Sequence, residues 1–159
     1  MIIATSEGTE AAGAALAAAI ATATPERLCV WLQGELGAGK TTFCRGLLRA
    51  MGHKGRVPSP TYTLIEPYDC GSYQVYHLDL YRLREAAELE YLGLSELWES
   101  GAIFLIEWPT NARAALPAAD LEISLALSGV RGDQRELTVT GFTRWGTEIA
   151  RLLAESGTA

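Results

Sequence analysis

The sequence predicts an α/β domain built on a mixed sheet. Two short runs, Leu28–Gln33 (LCVWLQ) and Ala102–Trp108 (AIFLIEW), are apolar without alternation, the pattern of strands covered on both faces, as parallel strands are. Leu121, Ile123, Leu125 and Leu127 alternate with other residues, as do Leu137 and Val139, on either side of a turn at Val130–Gln134. That period of two reads as an antiparallel hairpin. Helical stretches interleave with the strands, which completes the α/β pattern.

Each element has a local reason. After a short apolar start at Met1–Ala4, Ser6 is placed to cap a helix running to about Ala23, with Glu7 and Glu10 near the positive end of its dipole and Pro25 stopping it. The strand Leu28–Gln33 breaks into a glycine-rich segment, Gly34–Gly39. A helix follows from Lys40 to about Met51, with Gly52 as its C-terminal cap. His53–Thr61 carries Pro58 and Pro60 and is irregular. Tyr62–Tyr68 and Tyr73–Asp79 are expected to pair as a hairpin across Asp69–Ser72. Arg84–Trp98 is expected to be mostly helical with an interruption near Gly93, and Thr143–Ala154 to form a closing helix. No low-complexity linker or repeat divides the chain, so residues 1–159 are read as one domain.

Composition narrows the function. The 159 residues carry a net charge of −6, with 48% apolar and 20% charged residues, too apolar for disorder and long enough to bury roughly two thirds of the unfolded surface. No charge-free apolar run reaches the ~18 residues of a membrane span. The alanine-rich stretch Ala11–Ala23 comes closest, but acids precede it where a signal peptide carries Lys or Arg. The acidic excess opposes broad, sequence-blind nucleic-acid binding. Cys29, Cys44 and Cys70 form no CxxC or zinc pattern and read as reduced thiols of a cytoplasmic protein. His53 and His77 are too far apart to suggest a local metal site, and are expected to be exposed or hydrogen-bonded.

The chemistry is concentrated in Gly34-Glu35-Leu36-Gly37-Ala38-Gly39-Lys40-Thr41, which meets GxxxxGK[ST] at every fixed position. A chain of this composition would produce that pattern by chance about once in several hundred cases, and its place between an apolar strand and a helix is the context the motif requires. Glycines let backbone N–H groups close around a phosphate at a helix N-terminus. Lys40 is then expected to reach the β- and γ-phosphates, and the Thr41 hydroxyl to ligate Mg²⁺. Two acids close apolar strands. Glu107, with the drier strand behind it, is assigned to the metal, and Asp79 to orienting the attacking water.

No Asn-Lys-x-Asp element exists to read guanine, since Lys40 and Lys54 are the only lysines, so ATP is favoured. Arginines do not cluster into a lid. The nearest pairs are Arg82 with Arg84 and Arg131 with Arg135. A small-molecule kinase using the same loop therefore stands second to an ATPase, and a nucleotide-dependent binding module third.

Four segments in order, GELGAGKTTF (Gly34–Phe43), SPTYTL (Ser59–Leu64), HLDLYRL (His77–Leu83) and IEWP (Ile106–Pro109), strongly resemble the bacterial TsaE family, also called YjeE. These are small ATPases required to make threonylcarbamoyladenosine in tRNA. The resemblance spans nearly the whole chain. It implies a three-layer, P-loop NTPase-like domain with a mixed parallel and antiparallel sheet. It also implies a TsaB–TsaD heterodimer as partner, with tRNA met only indirectly through that complex, and hydrolysis that resets the complex between turnovers. Carried over residue by residue, the family's loop falls on Gly37, Ala38, Gly39, Lys40, Thr41 and Thr42. Its strand-end acid falls on Glu107 and its HxDLYRL aspartate on Asp79. Ser59, Pro60 and Thr61 match a segment that looks like a nucleotide-sensing switch, in which the Thr61 hydroxyl feels the γ-phosphate. Thr9 matches a position near the base, and Arg135 an arginine near the nucleotide. Nothing in the chain looks able to form the threonylcarbamoyl adduct or to grip tRNA.

Overall fold

The computed structural model describes residues 1–130 and 132–157; Arg131, paired with Arg135 above, lies outside the described residues. In chain order the elements are β1 (Ile2–Ile3), α1 (Ser6–Ala23), β2 (Leu28–Gln33), α2 (Lys40–Ala50), β3 (Ile65–Asp69), β4 (Gln74–Asp79), a 3₁₀ turn (Ala86–Leu92), α3 (Leu94–Glu99), β5 (Ile103–Glu107), β6 (Leu121–Ser128), β7 (Gln134–Gly141) and α4 (Arg144–Glu155). The strands form one sheet in the order β1-β7-β6-β2-β5-β4-β3. Its centre, β6-β2-β5-β4, is parallel, while β3 and β7 pair antiparallel with β4 and β6, and β1 pairs antiparallel with β7. The α/β class and mixed sheet agree with the expectation.

The two apolar runs are buried on both faces because the sheet is covered on both. Leu28, Val30 and Leu32 of β2 pack with Ile103 and Leu105 of β5 against α1, α2 and α4. The alternate residues Cys29, Trp31, Phe104 and Ile106 pack on the other face against Leu89 and Leu94 from the 3₁₀ turn and α3. Three layers result. The edges differ in kind from the centre: β1 has two residues, and β3 carries Pro67.

Three local expectations are corrected and a fourth is refined. Thr5, not Ser6, caps α1: its backbone is extended and its Oγ1 accepts from the Gly8 N–H at 3.0 Å, while Ser6 is already helical. α2 ends at Ala50, and Met51 is its cap. Gly52 follows at φ +100°, a conformation open to glycine. The first strand of the central hairpin begins at Ile65 rather than Tyr62. The chain from Pro60 turns instead, with the Leu64 N–H donating to the Pro60 carbonyl at 2.8 Å and Leu64 at φ +64°. The stretch Arg84–Trp98 has the expected break at Gly93, but the helix before it is 3₁₀ rather than α.

The contact between α1 and α2 is made by backbone. A Cβ on Gly13 would lie 2.1 Å from the Phe43 carbonyl oxygen, and one on Gly46 2.0 Å from the Glu10 carbonyl oxygen. On an isolated helix Gly→Ala gains about 0.5–1 kcal/mol. Here the sign is expected to reverse. Gly46→Ala should lower stability by roughly 1–3 kcal/mol through overpacking, read as a lower urea midpoint at unchanged slope. An equal or higher midpoint would show that the helices can separate at no cost.

Candidate functional site

Strand register brings the predicted acids together. β4 and β5 run parallel with Asp79 opposite Glu107, so both carboxylates emerge where the strands end, beside the start of α2. They line a cleft of about 470 Å³ together with Gly37, Gly39, Lys40, Thr41, Thr42, Ser59, Thr61 and Trp108.

The loop follows from its glycines. Gly34 is at φ +144°, and a Cβ there would lie 2.4 Å from the Leu125 carbonyl oxygen, so neither the conformation nor the space admits a side chain. Gly37 is at φ +80°, with open space where a Cβ would stand. Lys40 is 5% exposed. Its Nζ donates to the carbonyls of Gly34 and Glu35 at 2.8 and 3.0 Å and lies 4.1 Å from the Trp108 ring centre. Burial pushes its pKa below the usual lysine value, against the opposing pull of Glu107 and Asp79. Among the described residues it forms no ion pair at contact distance, so this cation is available to an anion entering the cleft.

Opposite the loop, Thr41 Oγ1 donates to Glu107 Oε1 at 2.8 Å. Asp79 Oδ2 accepts from both Ser59 and Thr61 at 2.7 Å, and Oδ1 from the Tyr81 N–H at 3.0 Å. A hydroxyl and two carboxylates lining a cleft are hard oxygen donors of the kind Mg²⁺ takes, with room left for water and phosphate oxygens. The residues present fit that ion.

Three predicted positions sit at the margins. Ala38 is buried in the core beneath the loop, with its N–H donating to the Glu35 carbonyl at 3.1 Å. Thr9 is 1% exposed, donates to the Thr5 carbonyl, and stands 3.4 Å from where a Gly39 Cβ would be. It supports the loop from below rather than lining the cleft. Arg135 reaches the Gly37 carbonyl from β7 at 3.4 Å.

The family model for "Threonylcarbamoyl adenosine biosynthesis protein TsaE" matches residues 3–137. The chain belongs to the TsaE family. A protein of Haemophilus influenzae named tRNA threonylcarbamoyladenosine biosynthesis protein TsaE is 40% identical over 126 residues, 79% of this chain and 78% of that one. The protein of that name from Bacillus subtilis is 40% identical over 109 residues, covering 69% and 66%. A crystal structure of Bacillus subtilis YdiB superposes with a TM-score of 0.77 at 30% identity, covering 98% of this chain and 94% of that one.

Two site residues of this TsaE-family chain escaped the sequence reading. His77 was expected only to be exposed or hydrogen-bonded; it is fully buried, with Nε2 2.8 Å from Glu107 Oε1. The strand parity that puts His77 on the same face as Asp79 was a usable signal. Trp108, the last residue of an apolar run, holds its ring against Lys40 from a left-handed backbone at φ +58°. Nothing in the one-dimensional pattern signals that turn. Cys44 also offers a ligand atom within 4.8 Å of His77 and Glu107, but burial, with Glu107 and Asp79 adding to it, raises its pKa well above the usual thiol value. It packs as a neutral thiol. No helix among the described residues is long and apolar enough to cross a membrane.

Proposed function

We propose that this chain, acting as one cytoplasmic ATPase domain, binds ATP with Mg²⁺ in the cleft and hydrolyses it slowly. On this reading it supports threonylcarbamoyl transfer to adenosine in tRNA by cycling a TsaB–TsaD heterodimer, and meets tRNA only through that complex. The observation that carries the ATP site is the joining of Thr41 to Glu107 at 2.8 Å in the same cleft as the buried ammonium of Lys40. The backbone from Gly37 to Thr42 would surround the phosphates, and Arg135 would steady the loop through Gly37. Lys40 would neutralise charge on the β- and γ-phosphates. Once bound, Mg²⁺ would supply charge stabilisation to the reacting phosphates. Thr41 and Glu107 would hold it, and Asp79 would orient the attacking water.

One oxygen of Asp79 begins fully occupied. Its Oδ2 already accepts from Ser59 and Thr61, while Oδ1 accepts only from the Tyr81 N–H, so Oδ2 must give up a hydroxyl before it can accept from water. The arrangement favours a slow basal rate, with Ser59 and Thr61 as the partners most easily moved.

The two acids should separate in titrations. Glu107→Ala should raise the magnesium concentration needed for tight ATP binding, whereas Asp79→Ala should slow hydrolysis more than it weakens binding. The opposite pattern would exchange their roles. Phosphate release without an added acceptor is the expected reaction. A phosphorylated small molecule as product would replace this reading with a kinase.

A further inference from the structure

We infer that His77 is a positioning residue for the magnesium site, fixing the Glu107 carboxylate through its Nε2–H; the inference rests on the ATP and Mg²⁺ reading above. His77 is fully buried and Glu107 is 3% exposed, with Nε2 and Oε1 2.8 Å apart. A carboxylate oxygen accepts, so Nε2 carries the hydrogen. The other ring nitrogen, Nδ1, is buried with no hydrogen-bond partner among the described residues. Burying a polar ring costs free energy unless its groups are satisfied, and this ring directs its single hydrogen bond at Glu107. The fold makes no other use of its polarity.

The consequence lies in which oxygen of Glu107 stays free. Oε1 takes two donors, Thr41 Oγ1–H and His77 Nε2–H, one from α2 and one from β4. No hydrogen bond to Oε2 is formed among the described residues. Two donors on one oxygen fix the carboxylate plane and leave the second oxygen for the metal or its water. Thr41 alone gives a single hydrogen bond, about which the carboxylate can still turn, while its lone pairs stay open to the ion. The His77 imidazole, fixed on β4, supplies the second point that holds the plane. His77 and Asp79 are two residues apart on β4, and Asp79 lies opposite Glu107, so one strand carries both the water-side acid and the brace of the metal-side acid.

The test is magnesium-dependent ATP binding, measured by calorimetry on the full chain, with parallel titrations in EDTA. His77→Leu removes the donor and keeps the bulk apolar. It should raise the magnesium midpoint roughly 10–100-fold, the usual cost of losing such a support, and leave ATP binding in EDTA unchanged. His77→Gln, which returns an N–H near the Nε2 position, should recover most of the shift. If His77→Leu does not fold, His77→Asn, whose donor falls short of Glu107, should show the same shift. In metal-free protein the His77 Nε2–H should be visible by NMR as an exchange-protected proton that moves in Glu107→Gln. A normal midpoint in a folded variant lacking the donor would overturn the inference while leaving the ATP reading intact. So would equal losses with and without magnesium, which mark a packing role. Tight Co²⁺ binding with a thiolate charge-transfer band abolished by Cys44→Ser would also overturn it, making His77 a ligand. Wild-type protein whose ATP binding ignores magnesium would instead bring down the ATP and Mg²⁺ reading, and this inference with it.

Discussion

Lys40→Ala is expected to reduce ATP hydrolysis by at least roughly 10²–10³-fold, the scale set by removing one preorganised charge-stabilising donor from an active site, while the protein stays folded. The ammonium is buried, but its hydrogen bonds go only to the Gly34 and Glu35 carbonyls of its own loop, and burial already depresses its pKa. Deleting it frees two loop carbonyls that line the cleft and removes a charge whose burial is only partly offset by Glu107 and Asp79, two effects of opposite sign. Circular dichroism should match wild type, and phosphate release should not. A folded variant turning over at the wild-type rate would remove the cleft as the site of hydrolysis.

The second large effect is expected from outside the chain. Addition of a TsaB–TsaD heterodimer should raise turnover by up to roughly 10³–10⁵-fold, the range that an arginine finger or equivalent ordering supplies in related enzymes. Arg82, a guanidinium that lines the cleft, lies 4.5 Å over the Tyr62 ring and donates to the Tyr62 hydroxyl at 3.3 Å. It is turned toward the mouth. Tyr62 is 82% exposed and Leu36 69%, so the rim presents apolar surface next to the segment that ties up Asp79. A partner seated there can move Ser59 and Thr61 and release Asp79 Oδ2. Thr61→Ala removes one of those ties in advance, so it should narrow the ratio of stimulated to basal turnover more than it weakens ATP binding. Equal turnover with and without the heterodimer, at concentrations where binding is shown separately, would make the chain a self-sufficient hydrolase.

What could be read from the sequence divides along physical lines. The parallel strands were visible because burial on both faces demands unbroken apolar runs, and Leu28–Gln33 was placed to the residue. The phosphate-type loop was visible because its glycines are conformational requirements. Glu107 and Asp79 were found as strand-end acids, but their mutual register was not, because pairing of β4 with β5 joins segments whose sequence distance says nothing of alignment. The cap at Thr5 was missed because Thr5 and Ser6 are chemically near-equal caps, and only backbone geometry chooses between them. Strand parity puts His77 on the face of Asp79, but its contact with Glu107 depends on the β4–β5 register, which the one-dimensional pattern does not carry. Trp108 at φ +58° depends on the tight turn into Pro109, which its residue type disfavours.

The two ends of the sheet bear on how this protein can meet others. Exposed strand edges are templates along which chains add to one another, the route to fibrils and to recognition by strand addition. Here one outer strand is two residues long, and the other places Pro67, which has no N–H to share, in the middle of five residues. A visiting strand would find too short a ladder on one side and an interrupted one on the other. Neither outermost strand offers a long unbroken ladder to a visiting strand. A partner that docks on side chains instead makes contacts that can be formed and released without remaking a sheet.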